Sequence, residues 1–227
     1  MKVREATAAL RIAADPSRKP GMARVGIRID DALGVSLPHI RAIAKRAGTD
    51  PALADALWRT GIHEARQLAT MVADPAALSA AQMDRWAAEV NSWDVGDAAA
   101  DLFAASALRD RKIHDWAARE EPFVKRLAFA MIARRAVSDR TASDAAFARY
   151  FALIRRGARD DRNQVTKGVS WALRQIGKRN RALNAAAIAQ AERILADGIA
   201  SGSRGARWVG RDVLRELRAD FTQVRLD

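Results

Sequence analysis

Residues 36–48 read SLPHIRAIAKRAG, and this stretch has the features of a short amphipathic helix. Its apolar residues recur at helical spacing and predict one stripe on an α-helix, formed by Leu37, Ile40, Ile43 and Ala47. Ser36 stands where an N-cap is expected, Pro38 falls in the first turn, and Gly48 follows the last apolar residue. The stretch therefore predicts a helix with a defined start and a defined end.

Similar patterns extend along the whole chain. Further helices are predicted at 1–14, 51–58, 63–73, 79–90, 93–106, 109–119, 121–137, 143–157, 160–178, 184–198 and 205–219. Residues 15–28, DPSRKPGMARVGIR, predict a basic loop, and SGSRG at 201–205 predicts a turn. No segment shows the alternation of a β-strand. We expect one all-α domain over residues 1–227, a HEAT-like, solenoid-like stack of antiparallel helix pairs, with residues 1–28 the least certain part.

The composition narrows the function classes. The 227 residues contain no cysteine, which excludes disulfides and thiolate zinc sites. The three histidines, His39, His63 and His114, lack metal-ligand spacing, so neither a metal site nor a cofactor is expected. No apolar run approaches the roughly 18 residues of a membrane span, and no signal peptide is recognisable. The sequence predicts a soluble, cytoplasmic protein that works as a monomer without a membrane partner.

The charge indicates the kind of partner. Thirty-nine lysines and arginines against 27 acidic residues give a formal net charge of +12. Such an excess is typical of proteins that bind phosphates, and nucleic acid is the first candidate. We therefore expect a basic face, concave in a HEAT-like stack, that binds double-stranded DNA.

Residues 91–103, NSWDVGDAAADLF, place a tryptophan and a carboxylate outside a helix's core face. The apolar face comprises Val95, Ala99, Leu102 and Phe103. Trp93 and Asp97 share the opposite side, where two alanines, Ala100 and Ala104, leave room for a large ligand. In the alternative interpretation Asp94 is the N-cap, Asp97 complements the helix dipole and Trp93 belongs to the core.

A second exceptional residue is Arg126 in FVKRLAFAMIARR, residues 123–135, a helix that is apolar around most of its circumference. A buried arginine needs a carboxylate or an anionic ligand, because an unpaired buried charge is strongly unfavourable. An anionic ligand such as a DNA phosphate fits this need. A structural ion pair, with an aspartate of residues 94–101 as partner, is the alternative.

A third exception is Trp171 in the helix predicted at 160–178. It lies outside the apolar stripe, among polar and basic residues that include Lys167, Arg174 and Lys178. A tryptophan among cations offers a flat apolar wall beside phosphate contacts and suits a nucleic-acid surface. Packing against a neighbouring helix is the alternative.

Five ordered motifs make the sequence similar to the AlkD-like DNA alkylation repair family of HEAT-like DNA glycosylases. They are GVSLPHIRAIAK (34–45), LWRTGIHEARQLA (57–69), SWDVGD (92–97), PFVKRLAFA (122–130) and VSWALRQIGKRN (169–180). The resemblance implies that Asp97 is the catalytic carboxylate and that Trp93, Arg126 and Trp171 contact the DNA. Some members carry a second aromatic residue just before the tryptophan, where this chain has Ser92.

The implied activity is hydrolysis of the N-glycosidic bond of purines alkylated at N3 or N7. Such a purine is cationic and leaves as a neutral base, so no general acid is needed and one carboxylate suffices. The resemblance also implies that the lesion is not flipped into a pocket. A non-catalytic protein that binds damaged, bent or branched DNA is the main alternative, and a protein-interaction scaffold is another.

Overall fold

Helices account for all the regular secondary structure in residues 1–226, the part of the chain that the computed structural model describes. This part contains fifteen α-helices and one short 3-10 helix, and no strand. The chain divides into two compact units, Met1–Ala107 and a second that begins at Leu108.

The first unit contains seven α-helices: α1 (Val3–Ile12), α2 (Lys19–Arg24), α3 (Leu37–Ala47), α4 (Pro51–Trp58), α5 (His63–Val72), α6 (Ala80–Glu89) and α7 (Trp93–Ala105). The 3-10 helix Pro16–Arg18 precedes α2. Helix α5 packs against α1, α3, α4 and α7 and so forms the centre of this unit. Trp58 and Trp86 stack in its core with ring centroids 4.2 Å apart, and neither ring is exposed.

The second unit contains α8 (Arg109–Ala117), α9 (Pro122–Ser138), α10 (Ala145–Ala148), α11 (Phe151–Gly157), α12 (Asn163–Gly177), α13 (Arg181–Ser201), α14 (Arg204–Leu217) and α15 (Asp220–Val224). Helix α12 packs against α9, α11, α13 and α14. Its Gly168 permits a close approach to α9, since a Cβ there would lie 3.3 Å from both Cγ and the backbone oxygen of Arg126.

Most of the expected helix boundaries are confirmed within a few residues. Gly48 ends α3 with a positive φ of 67°, which glycine adopts without strain. Ser79 caps α6 by accepting a hydrogen bond from the Gln82 N–H. Ser36 occupies the N-cap position of α3, but its hydroxyl makes no cap hydrogen bond and instead lies 2.7 Å from Nδ1 of His39.

Two expectations are wrong in detail. Residues 15–28 are not a loop throughout, because they contain the 3-10 helix and α2; Pro20 lies in the first turn of α2, where a missing N–H costs nothing. The helix expected at 143–157 is two helices, α10 and α11, with the buried Tyr150 between them. Both differences concern short helices of three to seven residues.

The all-α fold class is confirmed within the residues that the structure describes. The single-domain organisation and the concave basic face stay predictions. Within residues 1–226, no helix combines the length and apolar character that a membrane crossing requires. The same residues contain no cluster of three or more histidine, aspartate or glutamate side chains placed to hold a metal ion.

Candidate functional site

The start of α7 presents Trp93 to solvent. The core face of the helix is as expected, with Val95, Ala99 and Phe103 fully buried. Trp93 is 37% exposed, so the alternative that it belongs to the core is wrong. Its indole Nε1 donates a hydrogen bond of 3.0 Å to the backbone oxygen of Val25, which fixes one edge of the ring. The segment before α3 thus helps to orient this side chain.

Asp94, the next residue, is held by three side chains. His63 Nε2 donates to Oδ2 over 2.8 Å, Gln67 Nε2 donates to Oδ2 over 2.7 Å, and the Ser92 hydroxyl donates to Oδ1 over 2.5 Å. Burial alone would raise the pKa of Asp94, but the hydrogen bond and charge of His63, with the hydrogen bonds from Ser92 and the Val95 N–H, hold it below 3.8. Asp94 is therefore an ionised anchor between α5 and α7.

The expectation that Asp94 is the N-cap is also wrong. Ser92 occupies that position and the helix begins at Trp93, so Asp94 lies in the first turn. There a carboxylate complements the helix dipole.

Asp97 lies one turn after Trp93 on the same side of α7 and is half-buried. The space expected above the neighbouring alanines is not open, because Ala100 is fully buried and Ala104 is only 7% exposed. The carboxylate thus lies at the edge of a covered surface, where its charge is less screened than in bulk water. Such a position suits a group that stabilises a nearby cation.

Arg126 on α9 is buried, with 7% of its surface exposed. Its Nη1 donates a hydrogen bond of 3.2 Å to the backbone oxygen of Gln164, just inside α12. Gly168, one turn further along α12, lies against the base of the same side chain. Arg126 is therefore positioned by the close packing of α9 and α12.

Trp171 on α12 is half-buried, and the guanidinium carbon of Arg134 lies 5.2 Å from its ring centroid. This is a cation–π distance. When its amide oxygen faces the two donors, Gln175 accepts hydrogen bonds of 3.2 Å from Trp171 Nε1 and from Lys178 Nζ. Sequence reasoning missed Arg134, because nothing in the helical pattern shows which residue of α9 faces Trp171.

The three basic residues expected around Trp171 differ in their surroundings. Arg174 and Lys178 both form ion pairs with Glu216 of α14, at 2.7 Å for Lys178. Burial would raise the pKa of Glu216, but hydrogen bonds from Lys178 and Arg174 outweigh it and lower the pKa. Lys167 is exposed and has no ion pair within the described residues. Of the three, Lys167 has the charge that is most available to a phosphate.

The predicted site residues fall in both units. Trp93 and Asp97 lie in the first unit, and Arg126, Trp171 and the three cations lie in the second. Their convergence on one surface stays a prediction, as do their individual roles.

The described residues thus form an all-helical fold in which an exposed tryptophan lies one helical turn from a carboxylate. The family model described as DNA alkylation repair enzyme matches residues 6–217. The chain belongs to this family, which confirms the resemblance given by its motifs.

One solved structure is similar over most of the chain. It is described as "a new family of proteins related to the HEAT-like repeat DNA glycosylases with affinity for branched DNA structures". The two share 18% sequence identity with a TM-score of 0.75, over 85% of this chain and 83% of the other. At this identity the likeness supports the HEAT-like fold alone. An engineered protein matches with a TM-score of only 0.36, and no curated protein matches.

Proposed function

We propose that this protein is a DNA N-glycosylase that releases cationic N3- or N7-alkylated purines from double-stranded DNA, with Asp97 as its catalytic carboxylate. The observation that carries the proposal is the arrangement of α7. An exposed Trp93 and a half-buried Asp97 lie one helical turn apart, in a chain of the DNA alkylation repair enzyme family.

The reaction needs one carboxylate. The bond between C1′ and the base nitrogen breaks, and its electron pair leaves with the base and neutralises the base's positive charge. The sugar becomes an oxocarbenium ion, which the charge of Asp97 stabilises. A water molecule then adds to C1′ and gives up a proton, and Asp97 is the group that orients the water and accepts the proton. The products are a neutral alkylpurine and an abasic sugar.

We assign Asp94 a different role. Its two carboxylate oxygens already accept hydrogen bonds from His63, Gln67 and Ser92. It acts instead as a positioning residue, which fixes the start of α7 and with it the neighbouring Trp93.

The other site residues bind and confine the substrate. Trp93 and Trp171 supply aromatic walls whose π faces favour a positively charged sugar. Arg126 is the proposed ligand of the phosphate beside the lesion, because a buried guanidinium matches a phosphate with two parallel hydrogen bonds. Lys167 adds a phosphate contact at the exposed end, and Arg134 holds the Trp171 ring. Arg174 and Lys178 contribute less, since Glu216 pairs with both.

A second candidate is a non-catalytic protein that recognises branched or bent DNA. The observation in its favour is the structural relative whose description names affinity for branched DNA. Both candidates require DNA binding, and the formal charge of +12 supports it in either case. The property that separates the glycosylase from the non-catalytic binder is release of the alkylated base.

The deciding experiment incubates the protein with duplex DNA that contains a single 7-methylguanine, and with a four-way junction of undamaged sequence. Free base and abasic sites are measured on the first substrate, and affinity is measured on both. Protein-dependent release of 7-methylguanine supports the glycosylase. Tight binding to the four-way junction without release of any base supports the non-catalytic binder instead.

A further inference from the structure

Helix α14 carries an exposed basic and aromatic stripe that the proposed glycosylase site does not use. The stripe consists of a half-buried Arg207 and four exposed residues, Arg204, Trp208, Arg211 and Arg215. At 100° per residue these five side chains fall within an arc of about 100° on one side of the helix. They line a surface groove of about 350 Å³ together with Asp212.

Trp208 is the most exposed of the six tryptophans, at 43%. Leaving so large an aromatic ring in water forgoes a substantial gain from burial. Trp208 lies on α14, whereas the tryptophans of the proposed site lie on α7 and α12. An exposed indole between arginines is a platform on which a flat base can stack.

The charge of the stripe is largely uncompensated. Arg215 pairs with Asp212, but within the described residues no ion pair is formed by Arg207 or Arg211. Asp212 itself is only 8% exposed and accepts a hydrogen bond of 2.6 Å from the Ser170 hydroxyl. Arg174 Nε also lies 3.6 Å from Oδ2 of Asp212, so this charge is already engaged with Ser170, Arg174 and Arg215, and the groove is left positive.

The opposite side of α14 fixes the helix firmly. Val209, Val213 and Leu217 are fully buried. Gly210 meets α13 so closely that a Cβ there would lie 2.7 Å from the Cβ of Leu195. The helix therefore presents its stripe from a rigid position, and arginines 204 to 215 span about 16 Å at 1.5 Å per residue.

We infer that the outer face of α14 is a second nucleic-acid surface, which binds single-stranded DNA by stacking an unpaired base on Trp208 and holding the flanking phosphates with Arg207 and Arg211. Duplex DNA cannot make the stacking contact, because its paired bases are stacked on one another and cannot reach the indole face. The inference does not rest on base release by Asp97. It assigns the protein a second DNA-binding surface, one that binds unpaired DNA.

The test measures affinity for a fluorescent oligothymidylate and for a matched duplex across a range of salt concentrations. Trp208→Ala should weaken oligothymidylate binding about tenfold and duplex binding less than twofold, since stacking on an aromatic platform is available only to unpaired bases. Trp208→Phe should restore most of the loss. The Arg207→Gln/Arg211→Gln variant should lower the slope of log affinity against log salt concentration for the single strand by about 1.4, because each lost phosphate contact contributes about 0.7.

The control carries the same change of charge elsewhere on the second unit. Arg156 and Arg193 are exposed, lie on α11 and α13, and form no ion pair within the described residues. Arg156→Gln/Arg193→Gln should leave the single-strand salt slope nearly unchanged. Equal slopes for the two double variants would overturn the inference.

Three other results would overturn it. Unchanged oligothymidylate binding by Trp208→Ala excludes the stacking platform, and equal losses for single strand and duplex identify a surface that contacts phosphates alone. A clear preference for oligouridylate would exclude DNA as the ligand. These outcomes are separable from the glycosylase proposal, because a protein that releases no base can still show the single-strand effect, and an active glycosylase can lack it.

Discussion

The guanidinium of Arg134 lies over the ring of Trp171, with its carbon 5.2 Å from the ring centroid. The two residues belong to α9 and α12, the closely packed helices that also position Arg126. A cation at this distance both steadies the ring and adds positive charge beside it. The proposed DNA surface therefore includes a cation that the sequence pattern did not indicate.

Replacing this cation should affect stability and DNA binding together. For Arg134→Gln we expect a loss of about 0.5–1 kcal/mol in the free energy of unfolding, the usual strength of a partly exposed cation–π pair. If Arg134 also contacts a phosphate, the salt slope for duplex binding should fall by about 0.9. Denaturant unfolding and binding titrations at several salt concentrations measure the two effects. Arg140→Gln, at an exposed position just after α9, is the control and should change neither.

The contact between Gly168 and Arg126 gives a second prediction. Gly168→Ala places a methyl group 3.3 Å from Cγ and the backbone oxygen of Arg126, so the neighbouring helix must shift by a few tenths of an ångström. We expect weaker DNA binding, because the guanidinium moves with its backbone. Any gain in helix propensity, about 1 kcal/mol at most, should be offset by this strain.

Gly21→Ala is the matched control. Gly21 lies in α2 and a Cβ there meets nothing within 4 Å, so its substitution should stabilise the fold and leave DNA binding unchanged. Calorimetry and binding titrations compare the two variants. A Gly168→Ala protein that is stabilised as much as Gly21→Ala, with normal affinity, would contradict the role given to this close approach.

The hydrogen bonds of Asp94 predict a specific pH dependence. Because the folded pKa of Asp94 is lowered, its contribution to stability is present above the ordinary value near 4 and is lost as the pH falls through the folded pKa. Asp94→Asn should therefore be less stable than wild type by about 1.5–3 kcal/mol at neutral pH, as expected for a hydrogen bond to a charged group. The difference should narrow below about pH 4.

Unfolding curves at neutral and acidic pH test this, with Asp101→Asn as the exposed control on the same helix. A constant difference across the whole range would argue against an ionised Asp94. Base release by Asp94→Asn should also fall, although less than for a change at Asp97, because Asp94 acts through the position of α7.

The sequence predicted the elements well where a local signal exists. Ser79 caps α6, Gly48 ends α3, and the stripe of α7 is buried as its spacing indicated. The short helix α2 was not predicted, because its first residues resemble a loop. The Lys-Pro-Gly sequence at 19–21 contains two residues that usually break helices, yet proline is tolerated in the first turn.

The sequence pattern could not predict the contacts of site residues whose partners are distant in the sequence. His63 and Asp94 are 31 residues apart, and Trp93 and Val25 are 68 apart. The helical pattern placed Trp93, Arg126 and Trp171 outside the core stripes, but it does not identify their partners. The same limit applies to Arg174 and Lys178, whose pairing with Glu216 depends on how α12 and α14 pack.

The expectation that the lesion is not flipped into a pocket gives a prediction about substrate size. If the lesion is not taken into a pocket, a bulky 7-alkylguanine should be released at nearly the same rate as 7-methylguanine. A pocket enzyme of fixed size would instead discriminate strongly against added bulk. Single-turnover release from two duplexes that differ only in the alkyl group measures this. A large rate advantage for the methyl lesion would indicate an enclosed pocket.

The chemistry at Asp97 is tested most directly by single-turnover release of 7-methylguanine and hypoxanthine by wild type, Asp97→Asn and Asp101→Asn. Asp101 lies one turn further along α7 and is exposed, so its substitution makes the same change of charge away from the proposed site. We expect wild type and Asp101→Asn to release 7-methylguanine but not hypoxanthine, whose neutral base cannot leave without a general acid. Asp97→Asn should be slower by about 10²–10³-fold. Normal release of 7-methylguanine by Asp97→Asn, or efficient release of hypoxanthine by wild type, would contradict the chemistry proposed for Asp97.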